Sequence, residues 1–399
     1  MILLVANLGS TSFKYKLFDF SDPAAPTVLA SGTADRIGQA ESAWEVEADG
    51  ADAQGQEELA DHGAAIDLHL QRLTELGVID SIEAIDAIGF KAVHGGPISE
   101  AVRVDDQVIA TMEQFADVAP QHNPPYVAAM RAFERRLPNV PQVAAFETGF
   151  HQTIPEARQA YGIPYAWMED LGIRRYGFHG ASHRYVATRM AEIDSSAQRV
   201  ISCHLGGSCS INGTLSEESV FNSFGMTAQS GLFHASRVGD FDVFALQKLT
   251  ESGLGLDEIL DTLGSEAGLK GLSGVSSDIR DVRKAAEDGN ERARRALDAF
   301  VEHGRRHVGA ALTALNGVDA LVFTGGIGQH GPDIRAGICR EMDFAGITLD
   351  DTKNKQAPGS AETQIDAGGT AQVWVLPTNE ELIVARQTAE VLGVVTAEN

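Results

Sequence analysis

Short runs of Gly, Ser and Thr follow several apolar runs of the sequence, and loops of this composition can bind phosphate. Residues 7–12 (NLGSTS), 206–208 (GGS) and 324–328 (TGGIG) each follow a run that predicts a buried strand. Backbone N–H groups and small side chains at the carboxyl ends of strands can approach a phosphate group closely. We therefore expect a phosphoryl or nucleotide site built from these loops.

Two familiar nucleotide-binding patterns do not account for these loops. The sequence contains no GxxxxGK[ST] motif, and GxGxxG at residues 326–331 is weak by itself. A dinucleotide fold also needs an acidic residue about 20 positions later, at the end of a second strand. Asp350 and Asp351 fall near that distance but in a polar turn, so we reject the dinucleotide interpretation.

Histidine and arginine side chains in polar loops are further candidates for chemistry. His179 and His183 are four positions apart, which would place both on one face of a helix. No third metal ligand is evident, so a capping or phosphate role is the preferred interpretation. Arg237 could form an ordinary surface ion pair, but its loop, with Gly239 and Asp240, favours a binding site.

The elements that must position these residues occur in two similar sets. A buried strand, a small-residue turn and a returning strand occur at residues 2–20 and again at 199–211. The two hairpins are about 200 positions apart, which indicates an internal duplication. Strands alternate with helical patterns through the rest of the chain, which predicts an α/β fold with a mixed sheet.

Composition excludes several classes of protein. The 399 residues carry 31 Lys plus Arg against 56 Asp plus Glu, a formal charge of −25, with 43% hydrophobic residues. These values are typical of a globular chain, and the negative charge argues against nucleic-acid and membrane partners. The amino-terminal residues lack a signal-peptide pattern, and three cysteines without CxxC spacing predict reduced thiols. We therefore expect a cytoplasmic protein.

Blocks of sequence throughout the chain resemble the acetate kinase family. They occur in the family's order at residues 7–14 (NLGSTSFK), 93–96 (VHGG), 122–124 (HNP), 150–155 (FHQTIP), 175–183 (RYGFHGASH), 237–240 (RVGD), 322–328 (VFTGGIG) and 378–382 (TNEEL). Together the blocks are highly specific and span residues 7–382, although each alone is modest.

The resemblance implies a duplicated, two-domain actin-like fold of the ribonuclease H-like class, with a central nucleotide cleft. We expect an amino-terminal domain of residues 1–147 plus 383–399 and a nucleotide-binding domain of residues 148–382. The implied reaction transfers the terminal phosphoryl of ATP directly and reversibly to a short-chain carboxylate, giving an acyl phosphate. Mg²⁺ is the implied cofactor, and the implied assembly is a homodimer.

The resemblance also implies roles for individual residues. The implied catalytic residues are Arg237, His179, Glu147 and Lys91. The implied carboxylate-binding residues are Lys91, Val93, Gln121, His122, Phe178 and Ala228. The implied nucleotide- or phosphate-binding residues are Lys14, Ser10, Ser12, His204, Gly206, Gly207, Ser208, Asp278, Ile279, Arg280, Gly326, Ile327 and Gly328. Asn7 and Glu380 are the implied magnesium ligands.

Several of these positions depart from the family pattern. Lys91 stands where the family has arginine, which replaces a planar fork with a point charge. Glu147 replaces aspartate and is longer by one methylene, a change for which Lys91 could compensate. Residues 206–208 replace Gly-Asn-Gly, and residues 329–330 replace Glu-Asn. Gln121 and Ala228 replace an apolar residue and a proline.

These departures leave alternatives open. Gln121 and Ala228 could form a larger, more polar acyl pocket, or could reflect neutral drift. The donor could be pyrophosphate instead of ATP, and Lys91 with Glu147 would also fit a nucleotide-binding sensor without turnover. Glu380 could cap a helix or bind metal, with Glu381 as its competitor. Residues 277–280 could form an N-cap at Ser277 instead of an adenosine site.

Overall fold

A computed structural model of the chain describes residues 1–116, 119 and 122–394. The chain divides into two compact units. The first unit comprises Met1–Gly149 and the chain from Asn379 onwards, and the second comprises Phe150–Thr378. Asn379, the first residue of the returning segment, caps the helix that follows it.

The described part of the first unit forms a sheet with helices beside it. Its strands are β1 (Ile2–Leu8), β2 (Ser12–Asp19), β3 (Thr27–Asp35), β4 (Ser42–Ala48), β5 (Ala53–Glu57), β6 (Ala87–Ala92), β7 (Val102–Arg103) and β8 (Gln142–Phe146). Its first three α-helices are α1 (His62–Glu75), α2 (Asp106–Gln114) and α3 (Asn123–Arg136).

The strand order of this sheet is β5-β4-β3-β2-β1-β6-β8-β7. Strand β1 is antiparallel to β2, with Asn7 opposite Lys14, and parallel to β6. Strand β6 is parallel to β8, with Lys91 opposite Ala145. The carboxyl ends of β1, β6 and β8 therefore meet at one edge, where ligands of α/β sheets usually bind.

The second unit contains a shorter sheet and more helices. Its strands are β9 (Arg199–Leu205), β10 (Cys209–Leu215), β11 (Glu218–Asn222), β12 (Ala320–Thr324), β13 (Thr363–Gln364) and β14 (Gln372–Val375). Its helices are α4 (Glu156–Gln159), α5 (Tyr165–Leu171), α6 (Gly180–Ile193), α7 (Ala245–Glu251), α8 (Leu256–Ser265), α9 (Gly268–Ser273), α10 (Ile279–Glu287), α11 (Glu291–Leu315), α12 (Gly325–His330), α13 (Pro332–Cys339) and α14 (Asp351–Gln356). Helix α15 (Glu380–Val391) follows in the first unit.

The second sheet repeats the central strand order of the first. Its order is β11-β10-β9-β12-β14-β13, with β9 antiparallel to β10 and parallel to β12. The sets β3-β2-β1-β6-β8 and β11-β10-β9-β12-β14 thus share one arrangement, in which three antiparallel strands join two parallel ones. This arrangement is what the two matching hairpins of the sequence predict.

Each sheet buries its own apolar core. In the first unit, side chains of β1, β2 and β6 pack with α1 and α3, and Leu17, Phe90 and Phe133 are fully buried. In the second unit, side chains of β9 and β12 pack with α11, around Phe300 and Phe323. None of the described helices is both long and apolar enough to cross a membrane.

Two local expectations from the sequence are wrong. Residues 325–330 form the short helix α12 instead of a loop, and its first residue, Gly325, has φ +74°. A Cβ at Gly325 would lie 2.6 Å from the carbonyl oxygen of Leu205, so only glycine allows this close approach. Helix α10 is capped by Asp278, whose side chain accepts a hydrogen bond from the Arg280 N–H, and not by Ser277.

Candidate active site

A charged cluster lies at the carboxyl ends of β6 and β8 in the first unit. Lys91 is on β6 and forms an ion pair with Glu380, the first residue of α15. Glu147 directly follows β8, and its N–H donates to the Ala92 carbonyl at 2.8 Å. The parallel pairing of β6 with β8 brings Lys91 and Glu147 to one edge of the sheet, and the start of α15 adds Glu380.

The charges of this cluster stabilise one another. Burial disfavours the ammonium form of Lys91, but attraction to Glu380 and Glu147 outweighs burial and raises the pKa of Lys91. Lys91 is therefore fully charged at neutral pH. Such a pair is favourable only while both partners are present, because either charge alone would be buried without compensation.

The hairpin between β1 and β2 places Asn7 beside a buried tyrosine. The Tyr126 hydroxyl lies 3.3 Å from Asn7 Oδ1 and accepts a hydrogen bond from the Leu8 N–H at 3.0 Å. Ser10 is exposed and Ser12 half-buried, while the Gly9 N–H donates to the Ser12 carbonyl at 2.9 Å. The turn thus leaves small polar groups at the end of β1.

The two adjacent glutamates of α15 have different partners. Glu381 pairs with Lys16 at 3.2 Å, and Lys16 also donates to the Asn379 side chain at 3.3 Å. Glu380 pairs with Lys91 in the cluster that also contains Glu147. The structure therefore separates the two candidates, and Glu380 is the one placed among the predicted site residues.

The oxygen donors of the first unit fit a magnesium ion. Within the described residues, no group of three or more His, Cys, Asp or Glu side chains could hold a metal. Mg²⁺ commonly binds through one or two carboxylates, water and substrate phosphates, so a dedicated cage is not required. Glu380 and the amide oxygen of Asn7 are hard oxygen donors of this kind.

The residues predicted to bind the carboxylate are divided between the two units. Val93 and His122 are half-buried in the first unit. Phe178 is buried in the second unit and packs edge-to-face on Phe224 with ring centroids 5.5 Å apart. Ala228 is half-buried, in the loop that also contains Arg237. Gln121 lies outside the described residues.

A second cluster, in the second unit, consists of histidines and serines. His179 precedes α6 in the left-handed region at φ 58°, and its ring stacks on that of His204 with centroids 4.1 Å apart. Nδ1 of His179 lies 2.7 Å from the Ser210 hydroxyl, and Ser182 lies 2.8 Å from Nδ1 of His204. Strands β9 and β10 and helix α6 thus position both rings.

The buried histidines nearby are neutral at pH 7. Burial lowers the pKa of His151 to about 4 and, with repulsion from His151 and His204, lowers the pKa of His183 well below 6.5. A neutral imidazole has one donor and one acceptor nitrogen, which suits serine and carbonyl partners. These histidines therefore act as hydrogen-bonding groups and not as cations.

Arg237 provides the positive charge of the second unit's site. Its guanidinium donates to the Ala228 carbonyl at 2.6 Å, and burial lowers its pKa from the ordinary value of an arginine. Gly239 has φ +75°, and a Cβ there would lie 2.6 Å from the Phe233 nitrogen, so the loop requires glycine. Arg237 forms no ion pair with any residue that the structure describes, so it can accept an anion.

The predicted nucleotide-binding residues lie in several separate elements. Lys14 is exposed on β2, and residues 206–208 form the β9–β10 turn, where the Gly206 N–H donates to the Ser208 carbonyl. Asp278 and Arg280 pair with each other at 2.5 Å, and 84% of the Arg280 side chain is exposed; Ile279 follows Asp278 as the first residue of α10. Gly326, Ile327 and Gly328 are in α12.

Sequence reasoning missed two residues that support these loops. Tyr126, described above, supports Asn7. Arg335 is fully buried and donates to the Gly328 and Gln329 carbonyls, both at 2.7 Å, and to Asn354. It thereby fixes the end of α12. Both residues lie in helices, but no sequence signal identified the atoms that they contact.

Comparisons with known proteins agree with this geometry. Residues 2–386 match the model of the acetokinase family. The chain is 42% identical over 401 residues to an acetate kinase of Heliobacterium modesticaldum, with 98% of this chain and 100% of the relative covered.

Two solved structures are also similar along their whole length. The Porphyromonas gingivalis acetate kinase structure is 37% identical with a TM-score of 0.89, and covers 98% of this chain and 99% of its own. The Francisella tularensis propionate kinase structure is 32% identical with a TM-score of 0.90, with the same coverage. The fold is the duplicated actin-like ATPase fold that these structures share.

The family match therefore covers both units, the Lys91 cluster and the His179 cluster. It confirms the resemblance seen in the sequence motifs and the class of reaction that this resemblance implies. The chain belongs to the acetokinase family and is an ATP-dependent phosphotransferase with a carboxyl group as acceptor.

Proposed function

We propose that the acceptor is a short-chain carboxylate such as acetate or propionate and that the product is its acyl phosphate. The names of the relatives support these acceptors. The observation that carries the proposal is Arg237, a half-buried guanidinium without an ion pair among the described residues. An arginine left in this state is suited to an anion that arrives with the substrates.

Arg237 and His179 bind the transferring phosphoryl in this proposal. Phosphoryl transfer needs in-line positioning and neutralisation of charge on three equatorial oxygens, with little covalent chemistry. The bond from Arg237 to the Ala228 carbonyl fixes one edge of the guanidinium, so its other N–H groups can donate to those oxygens. His179 donates a further hydrogen bond from a ring held by Ser210.

Asn7 and Glu380 hold Mg²⁺ in this proposal. The ion supplies positive charge to the nucleotide phosphates when it is bound. Lys91 limits the repulsion between Glu380, Glu147 and an incoming phosphate, because its ammonium group already pairs with Glu380. Lys91 and Glu147, which depart from the family pattern, thus belong to one charged cluster, and this favours mutual compensation over loss of activity.

The predicted nucleotide-binding residues complete the proposed reaction. Ser10, Ser12 and Lys14 in the first unit, and His204 with residues 206–208 in the second, contact phosphate groups. Asp278, Ile279, Arg280 and residues 326–328 contact the adenosine. The support for most of them is their position at or near strand ends or helix starts, where backbone N–H groups can be available; for Lys14 it is the exposed ammonium side chain on β2.

A second copy of the chain is the proposed partner. Six large apolar side chains are exposed on two segments of the second unit: Tyr165, Trp167, Leu171, Phe241, Val243 and Phe244. Such surface is typical of protein interfaces. Sedimentation should give about twice the chain mass of 42.5 kDa, and a monomer mass at micromolar concentration would refute this part of the proposal.

The proposed compartment is the cytoplasm. All three cysteines, Cys203, Cys209 and Cys339, are buried free thiols, which suits a reducing environment.

A coupled assay of ADP formation against a panel of short carboxylates tests the acceptor. We expect turnover that depends on both the carboxylate and Mg²⁺. Hydroxylamine would trap the acyl phosphate as a hydroxamate. ATP hydrolysis that is independent of every carboxylate, with no trapped hydroxamate, would refute the proposed acceptor.

A further inference from the structure

Four side chains of the second unit form one continuous chain of hydrogen bonds that ends at His179. Ser202 Oγ lies 2.6 Å from Nδ1 of His183, and Nε2 of His183 lies 2.7 Å from Ser210 Oγ. Ser210 Oγ in turn lies 2.7 Å from Nδ1 of His179. Ser202, His183 and Ser210 are fully buried, so solvent does not compete for these bonds.

The number of protons in this chain of hydrogen bonds limits its possible arrangements to three. Burial lowers the pKa of His183 well below 6.5, so His183 is neutral and has one N–H and one lone pair. Each serine hydroxyl has one proton to donate. The hydrogen bonds run from Ser202 towards His179, run from His179 towards Ser202, or converge on Ser210, whose oxygen has two lone pairs. The converging arrangement leaves the buried Ser210 proton without an acceptor in the chain of hydrogen bonds, which is unfavourable, so the two arrangements with one direction are compared.

The Ser202 end distinguishes the two arrangements. In the described part of the chain, Nδ1 of His183 is the one hydrogen-bond partner of the Ser202 hydroxyl. If Ser202 donates to it, every buried proton in the chain has an acceptor. If His183 donates instead, the Ser202 proton is buried without an acceptor, which is unfavourable.

We propose that Ser202, His183 and Ser210 are positioning residues that hold His179 in the tautomer with its proton on Nε2. Ser202 donates to His183 Nδ1, His183 Nε2–H donates to Ser210, and Ser210 donates to His179 Nδ1. His179 then donates from Nε2 to an oxygen of the transferring phosphoryl. The opposite tautomer would turn a lone pair towards that anionic oxygen. This inference rests on the role of His179 under Proposed function.

The ring of His179 is also fixed in orientation. Its tautomer therefore decides whether Nε2 presents an N–H donor or a lone pair to the phosphoryl group. It stacks on His204 at 4.1 Å and contacts Phe224 edge-on, with ring centroids 5.2 Å apart. Its backbone is in the left-handed region at φ 58°, which histidine adopts more readily than most residues. A ring held on two sides cannot exchange its nitrogens by rotation without breaking these contacts.

Nitrogen NMR of the full-length protein labelled with ¹⁵N-histidine tests the tautomer directly. Bare and protonated ring nitrogens resonate far apart, and the His179→Gln variant assigns the His179 signals. We expect a protonated Nε2 and a bare Nδ1 in the parental protein at pH 7. In Ser202→Ala the two shifts should move towards each other, and Ser202→Thr, which keeps the hydroxyl, should restore them. A protonated Nδ1 in the parental protein would overturn the proposal.

Steady-state kinetics test whether the chain of hydrogen bonds from Ser202 to His179 (the serine–histidine relay) affects the rate of phosphoryl transfer. Ser210→Ala should lower kcat about 10- to 100-fold and leave KM for ATP and carboxylate within about threefold. Ser219→Ala is the matched control, because it removes another buried serine–histidine bond, 2.9 Å to His151, without contacting His179. Its kcat should stay within about twofold. Equal effects of the two variants would overturn the relay.

The role of His179 itself is tested separately. Parental turnover in His179→Gln would refute its contact with the phosphoryl and therefore the relay's effect on catalysis, whatever the tautomer. Should Ser210→Ala fail to fold, the nitrogen shifts of the parental protein, Ser202→Ala and Ser202→Thr decide the question alone.

Discussion

The two units share one strand order, but the ionisable groups of the Lys91 cluster and of the His179 cluster are stabilised in different ways. In the first unit, the end of β6 carries Lys91, which stays charged because Glu380 and Glu147 attract it. In the second unit, the end of β9 lies among histidines that burial keeps neutral. A buried titratable group can be paired with an opposite charge or kept neutral, and the two clusters differ in which of these occurs.

The difference suits the chemistry proposed for each half. Oxygen donors and a fixed cation suit a hydrated metal ion and its phosphates, whereas neutral imidazoles give directional hydrogen bonds to a phosphoryl group. Arg237 is the exception in the second unit, because its charge has no ion-pair partner within the described residues. The comparison therefore predicts different consequences for substitutions in the two regions.

The largest effect on activity is expected for Arg237→Ala, which removes the cation of the second unit's site. We expect kcat to fall about 10³-fold or more, because an arginine that neutralises the transferring phosphoryl acts mainly on the transition state. The thermal unfolding midpoint should change little, since the side chain has no ion pair to lose. Arg295→Ala, an exposed control paired with Glu291, should keep parental turnover. Near-parental turnover of a folded Arg237→Ala would remove Arg237 from the site.

Removing the cation of the paired cluster should mainly affect stability. Lys91→Met leaves Glu380 and Glu147 without their cation, and we expect the free energy of unfolding to fall by about 3 kcal/mol in urea titrations. Adding Glu380→Gln should recover part of this loss. Lys16→Met is the matched control: Lys16 is 33% exposed against 16% for Lys91, so its loss should cost under about 1 kcal/mol. Equal losses would contradict the pairing.

Acid should destabilise the second unit because the buried histidine His151 resists protonation, and His151→Gln should reduce this loss of stability. The pKa of His151 is about 4 in the folded protein, below its ordinary value of 6.5, so the unfolded chain binds the proton more readily. Stability therefore falls as pH falls from 6.5 to 4, by about 2 kcal/mol between pH 6.5 and 5 for this group. His151→Gln should lose about that much less over the same interval.

Urea titrations of both proteins at the two pH values measure this difference. Lys91 does not contribute to the pH dependence of stability in that range, because its pKa is raised above 10.5 and it stays fully protonated. Identical pH dependence of the parental protein and His151→Gln would show that His151 is not held neutral by burial.

The smallest effect is expected on the preference among carboxylate substrates. If Gln121 faces the acyl group, acetate would leave its amide without a partner, and a polar or larger short-chain acid should be the better substrate. We expect Gln121→Leu to shift the ratio of kcat/KM values about tenfold towards acetate. Ala228→Pro, at the other departing position, should shift it in the same direction. If acetate is the best parental substrate and neither variant changes the ranking, neutral drift explains both residues.

Much of the first unit's site could be predicted from the order of strands and motifs. Residues at the carboxyl ends of parallel strands meet at one edge of a sheet, which fits the family motifs that pointed to Asn7, Lys91 and Glu147. The partners were not predictable. The choice between Glu380 and Glu381 depends on which carboxylate faces Lys91 and which faces Lys16, and two adjacent residues at a helix start look equivalent in sequence.

The sequence by itself determined the duplication, the α/β class, the family and the loops of the candidate site, because strand periodicity, turn residues and motif order are local properties. Only the tertiary structure decided the electrostatic state of each group. Whether Lys91 is charged or His183 neutral depends on burial and on partners from other elements. Those distances arise from the packing of strands and helices that are remote in the chain, and no local pattern records them.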